Sequence, residues 1–175
     1  TAKDKDRVRI YSLNPSNGKI KQLQAKEDVI SDYSIANQAF EMVYFGLSAS
    51  NSQRLYTYNL KNDASSCLID LSKEILRDVT LGEVQDWNFV SAQGDTIYGR
   101  FYLPPHFDAT KKYPMIVNYY GGTTPTARVM ESRYPSHVYA GLGYIVYIIQ
   151  PSGATGFGQE FSARHVNAWG KLTAD

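Results

Sequence analysis

Three histidines, one cysteine and one glycine-rich loop are the residues of this sequence that invite a chemical reading. His106 follows Pro104-Pro105, His137 lies near an expected helix start, and His165 stands near the end of a polar segment. None has a second histidine at ligand spacing, so they read as surface or turn histidines, and no metal site is expected. The glycines at 153, 156 and 158 give G-x-x-G-x-G, the reverse of the dinucleotide spacing G-x-G-x-x-G. Gly170-Lys171 lacks the glycine that a phosphate-binding loop has five positions upstream, where His165 sits. Loop 153–158 is therefore expected to make close turns that need positive φ. The nucleophile elbow G-x-S-x-G does not occur in the chain. Cys67 falls in an expected strand with no histidine near it, which makes it a structural thiol rather than a nucleophile.

Composition narrows the classes within which such residues could act. The 175 residues are 43% hydrophobic and 20% charged, an ordinary globular balance that excludes disorder, collagen-like sequence and coiled coil. Lys+Arg 18 against Asp+Glu 17 leaves +1, so there is no basic field for nucleic acid and no charge run for a membrane surface. The longest apolar run, around Tyr144–Ile149, is far too short to span a bilayer. One cysteine excludes an intrachain disulfide. Compartment stays open: soluble periplasmic, secreted and cytoplasmic locations all fit. Tyrosine is the outlier at 14 residues, and it favours strands.

The elements that would position a site fall into two rhythms. Up to about residue 78 the chain reads as short strands between turns: Val8–Leu13, Lys19–Gln24, Val29–Ile35, Glu41–Leu47, Arg54–Leu60 and Ser66–Leu71. Asn14-Pro15-Ser16-Asn17-Gly18 is a strong turn signal between the first two. Arg9-Ile10-Tyr11-Ser12-Leu13-Asn14 matches Arg54-Leu55-Tyr56-Thr57-Tyr58-Asn59 in character, 45 residues apart. A period of roughly 40–50 residues is that of β-propeller blades, although an ordinary meander with a chance match also fits. One and a half blades close no ring, so on the propeller reading the chain is a piece of something larger.

From residue 79 the pattern changes. Val84–Val90 and Ile97–Leu103 read as strands joined by the turn Ser91-Ala92-Gln93-Gly94-Asp95. Met115–Tyr120 and Tyr144–Ile149 read as strands buried on both faces. Between them Pro135 is expected at the first turn of a short helix, closed by Gly141 or Gly143. Gln159–His165 is expected to be helical. Strand, glycine loop, helix, strand, glycine loop begins an α/β sheet.

At this point a resemblance emerges. Tyr113-Pro114-Met115-Ile116-Val117-Asn118-Tyr119-Tyr120-Gly121-Gly122 resembles the Y-P-x-(apolar)3-x-x-Y-G-G-P segment of the prolyl oligopeptidase family of serine peptidases, which includes the dipeptidyl peptidase IV and acylaminoacyl-peptidase types. Gly94–Gly99 with Leu103-Pro104-Pro105 is similar to the family's entry into its catalytic domain. Ser152–Phe161 with Trp169-Gly170 is similar to its R-G-S-x-G-x-G-x-x-F…W-G stretch. The sequence departs at Thr123, where the family has proline, and at Ser152, where it has arginine.

The resemblance implies a mixed fold: residues 1–78 as the C-terminal blade or blades of a β-propeller, and 79–175 as the N-terminal part of an α/β-hydrolase domain. It implies peptide hydrolysis without a cofactor, with Tyr120 donating its hydroxyl to the oxyanion. The catalytic serine, acid and histidine would lie beyond Asp175, leaving this stretch inactive by itself. An α/β-hydrolase esterase and a non-catalytic β-rich binding module are the alternatives. The expected partners are a peptide substrate and no nucleic acid. A second copy of the chain is also expected, because a few strands of a larger sheet would leave an apolar edge open to pairing.

Overall fold

The computed structural model describes residues 1–168, so the Trp169-Gly170 part of the third motif lies outside the described residues. The chain divides into two compact units. The first is Thr1–Val79 with Ala127–Glu131, and the second is Thr80–Thr126 with the chain from Ser132 onward.

The first unit is built from β1 (Ala2–Asp4), β2 (Arg7–Arg9), β3 (Tyr11–Leu13), β4 (Ile20–Gln22), β5 (Val29–Ile35), β6 (Glu41–Ser48), β7 (Asn51–Asn59), β8 (Ala64–Asp70) and a single helical turn, α1 (Ser72–Ile75). Six strands form one sheet in the order β1-β2-β5-β6-β7-β8, and β3 pairs with β4 as a separate hairpin. Its turn is the Asn14–Gly18 signal, closed by the Gly18 N–H on the Asn14 carbonyl at 2.8 Å with Gly18 at φ +69°.

The expected strand Val8–Leu13 is two strands in two sheets. Ile10 breaks it by turning inward, 4% exposed, while its carbonyl accepts the Leu23 N–H at 2.9 Å. The 45-residue repeat is correspondingly imperfect, since its second copy runs unbroken through β7. Both repeat arginines nonetheless meet Glu27. Arg9 Nη1 donates to its carbonyl at 2.7 Å and Arg54 Nη1 to its Oε1 at 3.0 Å.

Alternation along β6 turns Met42 and Tyr44 inward and Val43 and Phe45 outward. The inward set packs with Ile10, Leu23, Ile30, Tyr56 and Tyr58. Tyr44 and Tyr56 stack at 5.0 Å, and Tyr58 meets Tyr44 edge-on. Their hydroxyls all reach partners. Tyr58 accepts the Gln24 N–H at 3.1 Å, Tyr44 accepts the Lys26 N–H and donates to Ser65 Oγ, both at 2.9 Å, and Tyr56 donates to Glu27 Oε1. Segment 24–27 is thus strapped over the sheet by three tyrosines. The excursion at 127–131 is held by Arg128, whose Nε lies 2.8 Å from Asp6 Oδ2 with both side chains buried.

The second unit contains β9 (Val84–Val90), β10 (Thr96–Tyr102), β11 (Met115–Tyr119), α2 (Ser136–Gly141), β12 (Ile145–Ile149) and α3 (Gln159–Ala163). The sheet order is β11-β12-β10-β9, with β11 parallel to β12 and the other pairs antiparallel. The β9–β10 turn closes through Ser91 N–H on the Asp95 carbonyl, with Gly94 at φ +85°. Helix α2 is the crossover between the parallel pair, and Gly143 at φ +94° ends it.

β12 lies between two neighbours and is buried as expected. β11 corrects the sequence reading. It is an edge strand among the described residues, and Met115, Val117 and Tyr119 are each about half exposed. A continuous apolar run is expected of a strand covered on both faces. Here only the face carrying Ile116 and Asn118 is partly covered.

Candidate active site

Tyr120 stands one residue beyond the carboxyl end of β11, and its side chain is 57% exposed. Ligands of open α/β sheets gather at the carboxyl ends of parallel strands. A phenol there can present its hydroxyl to developing negative charge. The two glycines that follow play different parts. A Cβ on Gly121 would meet nothing within 4 Å, whereas one on Gly122 would fall 2.6 Å from Tyr120 Cε1 and 3.1 Å from its Cζ. Gly122 alone gives the ring its room.

Loop 120–126 is anchored from the neighbouring strands. Tyr119 pairs in register with Ile149. The next residue, Gln150, is 1% exposed and grips both backbone groups of Thr126: Oε1 accepts the Thr126 N–H at 2.9 Å, and Nε2 donates to the Thr126 carbonyl at 2.8 Å. Buried Arg100 of β10 adds a bond from Nη1 to the same carbonyl at 3.2 Å, and its Nε donates to the Tyr102 hydroxyl at 3.2 Å. Thr123 accepts the Thr155 N–H at 2.8 Å. Neither Gln150 nor Arg100 was singled out from sequence. The available signal was a polar residue closing the apolar run 144–149 and a lone arginine inside an otherwise apolar strand.

The remaining sequence candidates are dispersed. Gly153, Gly156 and Gly158 have φ of +87°, +93° and +101°, so loop 153–158 makes the close turns that glycine permits. His165 packs where a Cβ on Gly153 would sit, and His137 lies edge-on to Tyr102 at 4.9 Å. His106 is an exposed loop residue at φ +58°. Cys67 is exposed on β8. Among the described residues no three His, Cys, Asp or Glu side chains gather to hold a metal ion, and no helix is long and apolar enough to cross a membrane. A groove of about 310 Å³ runs beside β11 between Ile116, Asn118, Tyr134 and Tyr139, and Tyr120 does not line it.

No protein-family model matches the chain. Among curated proteins it is 29% identical over 154 residues to dipeptidyl-peptidase 5 of Porphyromonas gingivalis, covering 87% of this chain and 22% of that protein. It is 37% identical over 86 residues to the probable dipeptidyl-peptidase 5 of Aspergillus terreus, covering 49% of this chain and 11% of that protein. The fold matches the acylaminoacyl peptidase of Pyrococcus horikoshii at a TM-score of 0.79 and 18% identity, over 97% of this chain and 26% of that one. These similarities, to dipeptidyl and acylaminoacyl peptidases, agree with the resemblance to the prolyl oligopeptidase family. The chain spans between 11 and 26% of the length of the proteins it matches. At the level the structural match supports, its fold is the mixed, sheet-rich architecture of those peptidases.

Proposed function

We propose that the protein carrying this chain is a serine-type peptidase acting on short peptides, and that the Tyr120 hydroxyl donates to the oxyanion of the tetrahedral intermediate. The observation that carries this reading is the placement of Tyr120 at the carboxyl end of a parallel strand, with its ring accommodated by the missing side chain of Gly122. The dipeptidyl-peptidase names of the relatives support the substrate class. On the same reading, residues 1–78 are the closing blade strands of a propeller and 79–175 open an α/β-hydrolase domain, whose nucleophile, acid and histidine come from elsewhere in the longer protein. The meander β5–β8 and the parallel unit β11–α2–β12 support that assignment.

A phenol placed in this way acts on the transition state more than on the ground state, so its loss should register in kcat. In the full-length protein, Tyr120→Phe keeps the ring and its packing. With a chromogenic dipeptide substrate, kcat should fall on the order of 10²–10³-fold while KM moves little. Tyr119→Phe serves as the control, because alternation turns it to the opposite face, and it should leave kcat near normal. A Tyr120→Phe enzyme with near-normal kcat would remove the assignment.

A further inference from the structure

We infer that Gln150 is a positioning residue, which holds the Tyr120 loop in its working geometry by gripping the backbone of Thr126. The inference rests on the reading of Tyr120 as the oxyanion donor. Loop 120–126 leaves the sheet at Tyr119 and is seized again at Thr126, and both ends are held by consecutive residues, the last of β12 and the one that follows it. Ile149 is the register partner of Tyr119, and Gln150 bonds Thr126. The anchor is itself fixed, since the Gln150 N–H donates to the Tyr98 carbonyl at 2.8 Å on β10.

The chemistry of the amide is what the position requires. Thr126 presents one donor and one acceptor side by side, and a carboxamide answers both from one planar group at any pH. Gln150 is 1% exposed, so an apolar side chain filling its place keeps water from that side and leaves the Thr126 N–H without its partner. The carbonyl keeps Arg100, so the loop would be released on one side and not detached. A small displacement of the loop is sufficient, because a misplacement of about 1 Å can cost on the order of 10²-fold in rate.

The test uses the full-length protein with Gln150→Met, Tyr120→Phe and the two combined. If Gln150 positions Tyr120, Gln150→Met lowers kcat by on the order of 10-fold or more with KM within about threefold, and the double variant is no slower than Tyr120→Phe alone. A near-normal kcat, a loss carried by KM, or losses that multiply in the double variant would overturn the positioning role and leave Tyr120 as the donor. Near-normal Tyr120→Phe would remove the donor reading and this inference with it.

If Gln150→Met does not fold, Gln150→Glu decides the matter. Its carboxyl, buried and facing the Thr126 carbonyl, must be protonated to restore the second bond. The ratio of its kcat to that of the parent should therefore rise as pH falls, and a flat ratio would refute the role.

Discussion

Buried tyrosines of the two sheets serve in two opposite ways. In the first unit the hydroxyls of Tyr44, Tyr56 and Tyr58 bond to the strap 24–27 or to Ser65. In the second unit Tyr147 is 6% exposed, packs against Phe101 at 4.5 Å and against Trp87, and its hydroxyl has no hydrogen-bond partner among the described residues. That hydroxyl lies where a Cβ on Gly99 would reach to 2.6 Å, and burial pushes its pKa up. The same residue type is therefore a polar fastener at three positions of the first sheet and an apolar filler at Tyr147, while Tyr102 of the second sheet keeps the bond from Arg100 Nε. What differs is whether an irregular segment crosses the sheet with backbone groups in need of partners.

The contrast is broken most severely at Glu27. Its carboxylate receives Arg54 and Tyr56 together, and Gly46 leaves room for its methylenes. Glu27→Ala should destabilise the first unit by about 1–3 kcal/mol, since it leaves the buried Tyr56 hydroxyl without its acceptor and Arg54 with Asp70 alone. Native-state amide exchange should show faster opening in β6 and β7 with β10 and β12 unchanged.

A paired substitution sharpens the comparison. Tyr44→Phe removes two bonds and orphans the Lys26 N–H, and it should cost about 1–3 kcal/mol in urea unfolding. Tyr147→Phe removes a hydroxyl that bonds nothing here and should be neutral or slightly stabilising. Equal losses at the two positions would erase the distinction between fastener and filler.

Acid gives the smallest effect. Desolvation pushes the Asp70 carboxyl up, but Arg54 Nε at 2.9 Å and the Ser72 N–H outweigh it and hold it below the usual carboxylate range. Its folded-state value lies below the unfolded value of about 3.9, so its contribution is present above about pH 4 and is lost as pH falls through the folded value. Asp70→Asn should cost about 0.5–1 kcal/mol at neutral pH and flatten the acid limb of the stability curve of the first unit.

Periodicity made much of this fold legible. Val29–Ile35 and Val84–Val90 are strands at their expected limits, and the buried run ending at Ile149 is a central strand. It failed where tertiary context decides. Nothing local says that Ile10 will leave its strand for the core. For the site, the sequence singled out Tyr120 and the glycines beside it, but not the division of labour between Gly121 and Gly122. It was silent on Gln150, because a side chain that bonds backbone 24 residues away leaves no periodic trace.

The grip on loop 120–126 has a consequence for how this protein can vary. Its two ends are fastened to adjacent residues, so the stretch between them is an interchangeable handle on a rigid frame. Lengthening it costs only about 0.6 kcal/mol per doubling, and every rung of the sheet stays in place. One residue inserted before Tyr119 would instead turn the strand's side chains to the opposite face. Sequence drift can therefore resculpt the surroundings of Tyr120 piecemeal while the frame beneath is left as it was.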